Sequence, residues 1–289
     1  MASIPSRREG GHSMSLVERL FSRTSPRASN SGSTAGQLVY AIGDVHGRYD
    51  LLRDLLAQLT RDYSVQARGR RPIVIFCGDY IDRGPQSFEV IEALVWLQQH
   101  AHVEVRMLKG NHEQALLNFI GEPESGRAWL ELGGAATLRA YGVSMTSAGD
   151  AGLDLVRVKD ALLASLPASH LRLLDALELM IVVGDYVFVH AGIRPGRPLA
   201  QQTERDLLWI REDFTAARGP FEKIVVHGHS WRSDEPEILA TRIGLDTGAY
   251  DTGVLTAVRL DDGQLAVLQA RDAPAAPRDP WAVPKELRP

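Results

Sequence analysis

The sequence predicts an α/β protein in which parallel strands alternate with helices. Three short apolar runs rich in β-branched residues, at 38–42, 73–77 and 103–108, are separated by segments whose apolar residues recur at helical spacing. Strand, helix, strand, helix, strand is the order of a parallel βαβαβ unit. Each of the three runs ends in a cluster of polar residues, and sheets of this kind bind ligands beyond the carboxyl ends of their strands.

The remainder of the chain adds helices first and strands afterwards. In chain order, helices are predicted at 51–59, 87–99, 115–120, 129–138 and 155–177, the last interrupted at Pro167. Further strands are predicted at 178–183, 186–189, 224–226, 238–245, 253–260 and 264–270. The last two flank Asp261-Asp262-Gly263, a turn sequence that favours a β-hairpin.

Length and composition are those of a globular protein held together without disulfides. The 289 residues are 44% hydrophobic and 24% charged, and the net charge of -4 gives no support to a role in coating nucleic acid. The one cysteine, Cys77, lies in the second predicted strand and excludes an intrachain disulfide, so we expect a reducing, cytoplasmic location. No apolar stretch reaches the roughly 18 residues of a transmembrane helix, and we expect no membrane association.

One folded domain, residues 37–272, is predicted between two tails. Residues 1–36 are rich in Ser, Gly and Arg, a composition that predicts a disordered N-terminal tail. This segment lacks the apolar core of a signal peptide, although 16–21 is amphipathic. Residues 273–289 are rich in Pro and Ala and predict a loosely held C-terminal tail.

Histidines and acidic residues gather where the predicted strands end. Five of the nine histidines stand there beside glycine or asparagine, namely His46, His112, His190, His227 and His229. The same strand ends carry Asp44, Asp79, Asp82 and Asn111. One such histidine is usually a structural hydrogen-bonding residue, but the whole set indicates a metal centre. Imidazole, carboxylate and amide ligands suit Mn, Fe or Zn, and there are enough of them for two ions.

These residues lie in five short motifs: Gly-Asp-Val-His-Gly, Gly-Asp-Tyr-Ile-Asp-Arg-Gly, Gly-Asn-His-Glu, His-Ala-Gly and His-Gly-His, in that order. The set resembles the calcineurin-like metallophosphoesterases of the phosphoprotein-phosphatase type, and most closely their bacterial and phage Ser/Thr phosphatase branch. The resemblance covers about residues 38–260. It implies a calcineurin-like metallophosphatase fold, a β-sandwich of two mixed sheets flanked by helices, with the metals at one sheet edge.

The resemblance also implies a ligand set for two divalent ions, which we expect to be manganese, with iron or zinc as alternatives. One ion would be bound by Asp44 and His46, Asp79 would bridge to the second, and the second would be completed by Asn111, His190 and His229. Two such ions about 3.5–4 Å apart can share a hydroxide and aim it in line at phosphorus.

Other residues of the motifs would act on the substrate. His112 resembles the family's proton donor to the leaving alkoxide, and Asp82 would fix its ring by a hydrogen bond. Arg83 would hold phosphate oxygens through its planar guanidinium, which lysine cannot copy. Glu113 and Tyr250 are expected to be structural or to support the site.

Two further candidates for phosphate binding carry open alternatives. Arg211, in Leu-Leu-Trp-Ile-Arg-Glu, matches a second phosphate-binding arginine of the phage and bacterial enzymes. Its alternative is an ion pair on a helix surface with Glu212 or Asp213. His227 either contacts phosphate directly or supports the ligand histidine that follows it.

We therefore predict a metal-dependent phosphomonoesterase, a Ser/Thr protein phosphatase that hydrolyses phosphoserine and phosphothreonine. Its partner would be a phosphorylated protein or peptide, with no nucleic acid, no membrane and no obligate partner. The last motif reads Gly228-His229-Ser230-Trp231, without the additional histidine of many nucleases and phosphodiesterases of the wider superfamily. That difference favours the phosphatase branch.

Two alternatives stay open. Symmetrical dinucleoside tetraphosphate hydrolases are similar in several motifs, but they typically lack the aspartate that Asp82 supplies here and carry Asp in place of Glu113. A non-catalytic binding protein on the same fold would be expected to have lost a ligand or the proton donor, and none is lost. Ser230 and Trp231 replace part of the frequent His-Gly-His-Thr-Pro, and Trp231 either lines the substrate groove or packs over the sheet edge.

Overall fold

The computed structural model describes residues 32–145 and 154–272. Its strands are β1 Val39–Ile42, β2 Ile73–Phe76, β3 Glu104–Met107, β4 Met180–Val183, β5 Tyr186–Val189, β6 Ile224–His227, β7 Glu237–Ile238, β8 Arg242–Gly244, β9 Val254–Asp261 and β10 Gln264–Arg271. Its α-helices are α1 Tyr49–Gln66, α2 Ser87–His100, α3 Asn111–Gly121, α4 Gly126–Trp129, α5 Ala135–Ala140, α6 Leu155–Ser165, α7 Ala168–Asp175, α8 Glu204–Trp209, α9 Glu212–Thr215 and α10 Ala249–Thr252.

The strands form two mixed five-stranded sheets. The first has the order β10-β9-β1-β2-β3, in which β1, β2 and β3 are parallel and the β9-β10 hairpin is antiparallel. The second has the order β4-β5-β6-β8-β7, with β5, β6 and β8 parallel. The predicted parallel unit, the hairpin and the arrangement of two mixed sheets flanked by helices are therefore confirmed.

Alternation along the strands explains why the sheets pack face to face. In β1, Val39 and Ala41 lie in a core shared with residues of the second sheet such as Phe188 and Val226. Tyr40 and Ile42 point to the opposite face and pack with the leucines of α1. Because side chains alternate between the faces of a strand, each sheet can bury one face in the sandwich and the other under helices. Cys77 is buried in the shared core, where desolvation raises the pKa of its thiol.

The predicted strand 238–245 is wrong as a single element. The chain instead reverses at 239–241, where the Leu239 N–H donates to the Arg242 carbonyl oxygen at 2.9 Å. The two short strands β7 and β8 on either side pair antiparallel, with Ile238 opposite Ile243. The segment Leu239-Ala240-Thr241 has no Gly, Pro, Asn or Asp, so the usual sequence signal of a turn is missing.

Residues 32–36, which the sequence analysis assigned to the N-terminal tail, are part of the described structure. The Ser33 N–H donates to Asp185 in the β4-β5 turn at 2.9 Å, and the Thr34 N–H donates to Asp262 in the β9-β10 turn at 3.0 Å. Thr34 is buried. The rest of the predicted tails, including the amphipathic stretch 16–21, lies outside the described residues, as does 146–153. Within the described ranges, no helix is long and apolar enough to cross a membrane.

Five strands direct polar residues to one edge of the sandwich. Asp44 follows β1, Asp79 follows β2 and Asn111 follows β3 in the first sheet, whereas His190 follows β5 and His229 follows β6 in the second. Because these strands run parallel within each sheet, their carboxyl ends meet at the same edge.

Candidate active site

Asp79 lies at the centre of the site. Its backbone adopts the left-handed region, φ 51°, and its side chain is almost fully buried. One carboxylate oxygen lies 3.5 Å from His46 Nε2, and the other lies 3.4 Å from His190 Nε2. A Cβ on Gly110 would come within 2.1 Å of Asp79 Oδ1, so only glycine leaves room for this carboxylate. Asp79 is therefore placed to touch both histidines at once.

The ring of His46 is oriented by the backbone. Its Nδ1 lies 2.9 Å from the carbonyl oxygen of Ile81, and since a carbonyl only accepts, Nδ1 carries the proton. Nε2 then presents its lone pair toward Asp79. Burial lowers the pKa of His46 to about 3, so the ring is neutral, as a metal ligand must be.

His190 and Asn111, both predicted ligands of the second metal, face each other. His190 Nδ1 lies 2.8 Å from the Cys77 carbonyl oxygen and must donate to it, which leaves a lone pair on Nε2. That nitrogen lies 2.9 Å from Asn111 Oδ1, which is also an acceptor. Burial lowers the pKa of His190, so an added proton does not relieve the contact. His190 Nε2 and the Asn111 side-chain oxygen are therefore close enough to bind one metal ion.

Other polar atoms at the site are buried without a partner. Among the described residues, Asp44 Oδ1 and His229 Nε2 make no hydrogen bond, although Asp44 Oδ2 accepts from the His229 N–H at 2.9 Å. Burial lowers the pKa of His229 to about 2. Buried polar atoms are nearly always satisfied, so the free atoms of Asp44 and His229 fit metal ligation.

The negative charge of the site also fits divalent cations. Five carboxylates are buried around it: Asp44, Asp79, Asp82, Glu113 and Asp246. Within the described chain, none of the five forms an ion pair with Lys or Arg. Burial and the neighbouring Asp246 and Asp79 carboxylates raise the pKa of Asp44 well above its ordinary value, and burial raises that of Asp246 to about 7. A buried charge without a partner lowers the stability of a fold, so bound cations would stabilise this cluster.

Among the described residues, two groups of three side chains could each hold an ion, because the ligand atoms of each group lie within 4.8 Å of one another. One is Asp79, His190 and His229, as the sequence predicted for the second metal. The other is His46, Asp79 and His112, whereas the sequence assigned Asp44 to this ion and gave His112 a different role.

His112 is paired with Asp82. The two side chains meet at 2.7 Å between Nδ1 and Oδ2, and both are buried. His112 Nε2 faces the centre, 3.7 Å from Asp79 Oδ2. Burial lowers the pKa of His112, but the Asp79 and Asp82 carboxylates outweigh it and hold the pKa above its ordinary value. The predicted contact between His112 and Asp82 is thus formed, and His112 Nε2 lies beside the candidate metal ligands.

Sequence reasoning missed two residues that bind Asp82. The Trp129 indole N–H donates to Oδ2 at 2.9 Å, and the Thr137 hydroxyl donates to Oδ1 at 2.6 Å. The available signal was the pair Gly133-Gly134 inside a helical pattern, since glycine there usually has a packing or functional reason. Asp246 was also missed as an acidic neighbour of Asp44.

Arg83 lies at the rim of the site against Tyr250. Its guanidinium carbon is 4.6 Å from the centre of the Tyr250 ring, and its Nη1 donates to the Tyr250 hydroxyl. The same ring meets His46 edge to face at 5.3 Å. The Trp231 ring packs on Gly248, and its centre lies 6.5 Å from the centre of the Tyr250 ring. Trp231 therefore lies on the same side of the site as Tyr250. Tyr250 therefore supports a phosphate-binding candidate.

Arg211 is near enough to the histidines of the second group to affect their pKa values. Its charge contributes to lowering the pKa of both His190 and His229, and it lines an open polar cavity of about 350 Å³. In the described residues its side chain makes no ion pair with Glu212 or Asp213, and Asp213 pairs with Arg194 at 2.9 Å instead.

The structure does not bring His227 into the cluster. Its ring meets Phe214 edge to face at 5.0 Å and lies over Gly244 of the neighbouring strand. Its Nδ1 lies 2.9 Å from the Gly228 carbonyl oxygen, and burial lowers its pKa to about 4. Of the two roles left open by the sequence, this packing favours support of the segment that carries His229.

Fold and site together define a metal-dependent phosphoesterase. The profile of the family described as calcineurin-like phosphoesterase matches residues 38–249, well over half of the chain. The chain belongs to this family.

Curated relatives of two kinds are similar to the chain. The bis(5'-nucleosyl)-tetraphosphatase PrpE [asymmetrical] of Bacillus subtilis is 25% identical over 240 residues, which cover 76% of this chain and 90% of that protein. The symmetrical bis(5'-nucleosyl)-tetraphosphatase of Methylococcus capsulatus is 28% identical, over 78% of this chain and 66% of that protein. Serine/threonine-protein phosphatase 2 of Escherichia coli is 35% identical, but over only 33% of this chain and 38% of that protein.

Solved structures share the fold. A putative diadenosine tetraphosphatase superposes with a TM-score of 0.57 at 21% identity, over 83% of this chain and 97% of that one. A protein serine/threonine phosphatase from Saccharomyces cerevisiae superposes with a TM-score of 0.50 at 15% identity, over 84% and 82%.

Proposed function

We propose that this phosphoesterase is a phosphomonoesterase for esters with an alkoxide leaving group, namely phosphoserine and phosphothreonine in proteins. The observation that carries the proposal is the buried His112–Asp82 pair, 2.7 Å apart, with His112 Nε2 facing the ligand cluster. A serine or threonine alkoxide is a poor leaving group, and protonation by a positioned acid contributes about 10²–10⁴ in rate. A nucleoside phosphate leaves as a stable anion and gains little from such a donor.

The residues around the donor have separate tasks. One ion would be held by Asp44, His46 and Asp79, and the other by Asp79, Asn111, His190 and His229. When bound, the ions would supply positive charge to the phosphate and acidify a water molecule.

Arg83 binds phosphate oxygens at the Tyr250 side of the centre, and Arg211 binds them beside His190. His112 gives its Nε2 proton to the leaving oxygen while Asp82 holds the ring through Nδ1. Because that hydrogen bond remains in place, Nε2 stays aimed at the reacting centre throughout the step.

Metal, partner and location are part of the same proposal. Nitrogen and oxygen ligands without a thiolate favour manganese, with iron or zinc as alternatives. The partner is a phosphorylated protein or peptide. The one cysteine of the chain is buried and unpaired, which agrees with a reducing, cytoplasmic location.

A second candidate function is hydrolysis of bis(5'-nucleosyl) tetraphosphates. Relatives that carry that name favour it, because they match most of the chain: the match to the Bacillus subtilis protein covers 76% of it. The serine/threonine phosphatase of Escherichia coli matches 33% of the chain. The two functions differ in the leaving group, and a direct comparison separates them.

The test is a comparison of kcat/KM on the protein reconstituted with manganese, iron or zinc. Phosphoserine and phosphothreonine peptides are compared with diadenosine tetraphosphate, and Asp79→Asn protein purified in the same way controls for contaminating phosphatases. We expect the peptides to be cleaved with the higher kcat/KM. A higher kcat/KM for the dinucleotide would overturn the assignment in favour of the second candidate.

A further inference from the structure

Hydrogen bonds from three side chains hold the Asp82 carboxylate in place. In the described chain it makes no contact with Lys or Arg, and it accepts hydrogen bonds from His112, Trp129 and Thr137. Trp129 and His112 share Oδ2, whereas Thr137 binds Oδ1. Because both oxygens are bound, the carboxylate cannot rotate without losing a hydrogen bond.

Thr137 also fixes the backbone of Asp82. Its hydroxyl oxygen accepts from the Asp82 N–H at 2.9 Å while its proton goes to the carboxylate. Asp82 has φ 70°, a left-handed conformation that is uncommon for residues with a side chain. One threonine therefore holds both the main chain and the side chain of the residue that orients His112.

A broken helix brings Trp129 and Thr137 to the same carboxylate. Trp129 ends α4 and Thr137 lies in α5, and the π-turn Leu130–Gly134 separates them. In a regular α-helix, residues eight apart differ by about 80° around the axis, since each residue turns about 100°. At Gly133 the backbone leaves the helical region, with φ 111°. Because of this break, Trp129 and Thr137 are not related by the rotation of a regular helix, and both side chains reach Asp82.

A close contact requires glycine at position 134, and the positive φ of 111° favours glycine at position 133. A Cβ on Gly134 would lie 2.5 Å from the Trp129 ring, and a Cβ on Gly133 would lie 3.0 Å from the side chain of Arg83. The Gly133 carbonyl oxygen also accepts from the Arg83 N–H at 3.3 Å. The same turn therefore touches the orienting carboxylate and the phosphate-binding candidate.

We propose that Trp129 and Thr137 are positioning residues for the proposed reaction, and that the Trp129–Thr137 segment aims the proton donor His112 through Asp82. The inference deepens the proposed function and rests on it. Both side chains are buried, so in this proposal neither touches the substrate. Without their hydrogen bonds the carboxylate can turn, His112 loses its fixed partner, and the proton no longer points at the leaving oxygen.

The experiment compares two leaving groups in the metal-reconstituted protein. For Thr137→Val we expect kcat on a phosphoserine peptide to fall about 10- to 100-fold, part of the ~10²–10⁴ that a general acid contributes. On p-nitrophenyl phosphate, whose leaving group needs no proton, we expect less than about a threefold fall. Thr137→Ser restores the hydroxyl and should recover the wild-type ratio. Trp129→Phe should change the ratio in the same direction as Thr137→Val.

Matched controls separate positioning from general damage. In the part of the chain that the structure describes, the Thr60 hydroxyl bonds only to the Leu56 carbonyl oxygen of its own helix, and Trp96 is 57% exposed on α2. Thr60→Val and Trp96→Phe should leave both activities and their ratio unchanged. If Thr137→Val slows both substrates equally, or neither, the positioning role is wrong.

Proton NMR tests the inference independently of substrate. The ring Nδ1–H of His112, bonded to Asp82, should give a downfield signal that is lost or broadened in Thr137→Val and retained in Thr137→Ser. A signal unchanged in Thr137→Val would overturn the proposal. If the wild-type protein cleaves only the dinucleotide, the proposed function fails, while this signal still decides whether Thr137 orients the histidine.

Discussion

At the scale of single residues, the site collects charge that the protein itself does not neutralise. Asp44 and Asp246 are buried next to each other with raised pKa values, and among the described residues the Asp79 carboxylate makes polar contacts to His46, His112 and His190. His46 and His229 are kept neutral by burial, which lowers their pKa values. Neutral imidazoles beside buried carboxylates form a ligand set rather than a set of ion pairs.

Arg83 provides a test of phosphate binding by a single side chain. Its guanidinium is held against Tyr250, so its planar donors have a defined direction. Arg83→Lys keeps the positive charge but loses the planar set of N–H donors that can bind two phosphate oxygens at once. We expect KM for a phosphopeptide and Ki for inorganic phosphate to rise about 10-fold. Steady-state kinetics with phosphate as inhibitor measures both.

The control for this substitution is Arg53→Lys. Arg53 is exposed and, within residues 32–145 and 154–272, pairs only with its neighbour Asp54, so the same change of chemistry there should leave KM and Ki unaltered. An Arg83→Lys protein with wild-type KM and Ki would contradict phosphate binding by Arg83.

At the scale of elements, the loop before α8 is fixed by one buried carboxylate. Asp206 accepts from Arg194 at 2.8 Å, Arg197 at 2.5 Å and the Thr203 hydroxyl at 2.7 Å. Both arginines are more than a third exposed, which weakens these pairs through solvent screening. The network joins the segment after β5 to the helix that leads to Arg211.

Asp206→Asn should lower the free energy of unfolding by about 1–2 kcal/mol at neutral pH. Burial alone would raise the pKa of Asp206, but the bonds from Thr203 and Arg194 hold it below its ordinary value. A carboxyl whose pKa is lower in the folded state stabilises above the unfolded pKa of about 4 and loses that effect as pH falls below it. The difference between wild type and Asp206→Asn should therefore shrink below about pH 4 in urea denaturation.

Asp213→Asn is the matched control for this network. Asp213 is 66% exposed and makes a single bond to Arg194, so its loss should cost less than about 1 kcal/mol. Equal effects of the two substitutions would show that the buried position of Asp206 is unimportant.

Elements were predictable from the sequence where periodicity and turn residues agreed. The β1-α1-β2-α2-β3 unit and the β9-β10 hairpin follow from apolar runs bounded by Gly, Asp or Pro. The reversal at 239–241 has no turn residue. Trp129 and Thr137 lie 47 and 55 residues from Asp82 along the chain, and their contacts with it depend on a helix break. Contacts of that kind come from tertiary packing, which no local pattern specifies.

The site was predictable for a related reason. A residue directly after a parallel strand has its position fixed by the sheet, so Asp44, Asp79, His190 and His229 could be placed from their motifs. His227 is the last residue of β6, and the side to which its ring turns depends on Phe214 and Gly244. The pairing of two sheets came from the family resemblance rather than from the strands themselves.

At the scale of the whole molecule, residues 32–36 join the two sheets at the end opposite the site. Ser33 binds Asp185 of the second sheet, while Thr34 and Gly36 bind Asp262 of the first. Deletion of residues 1–36 removes these contacts. We expect it to cost about 2 kcal/mol and to lower Tm by about 4–8 °C.

Deletion of residues 1–31 is the control, since it keeps every one of these contacts. Scanning calorimetry measures Tm for both deletions and for Asp262→Ala. The Tm of Asp262→Ala should lie near that of the protein without residues 1–36. If both deletions melt at the same temperature, the segment does not join the sheets.

The most direct test of the central claim is His112→Asn, measured for metal content and for leaving-group dependence together. If His112 is the proton donor, the protein should keep two ions per chain. Its kcat on a phosphoserine peptide should then fall about 10²–10⁴-fold, with a much smaller fall on p-nitrophenyl phosphate. Loss of an ion would instead assign His112 to the metal group that it forms with His46 and Asp79. That result, or an equal fall on both substrates, would contradict the account.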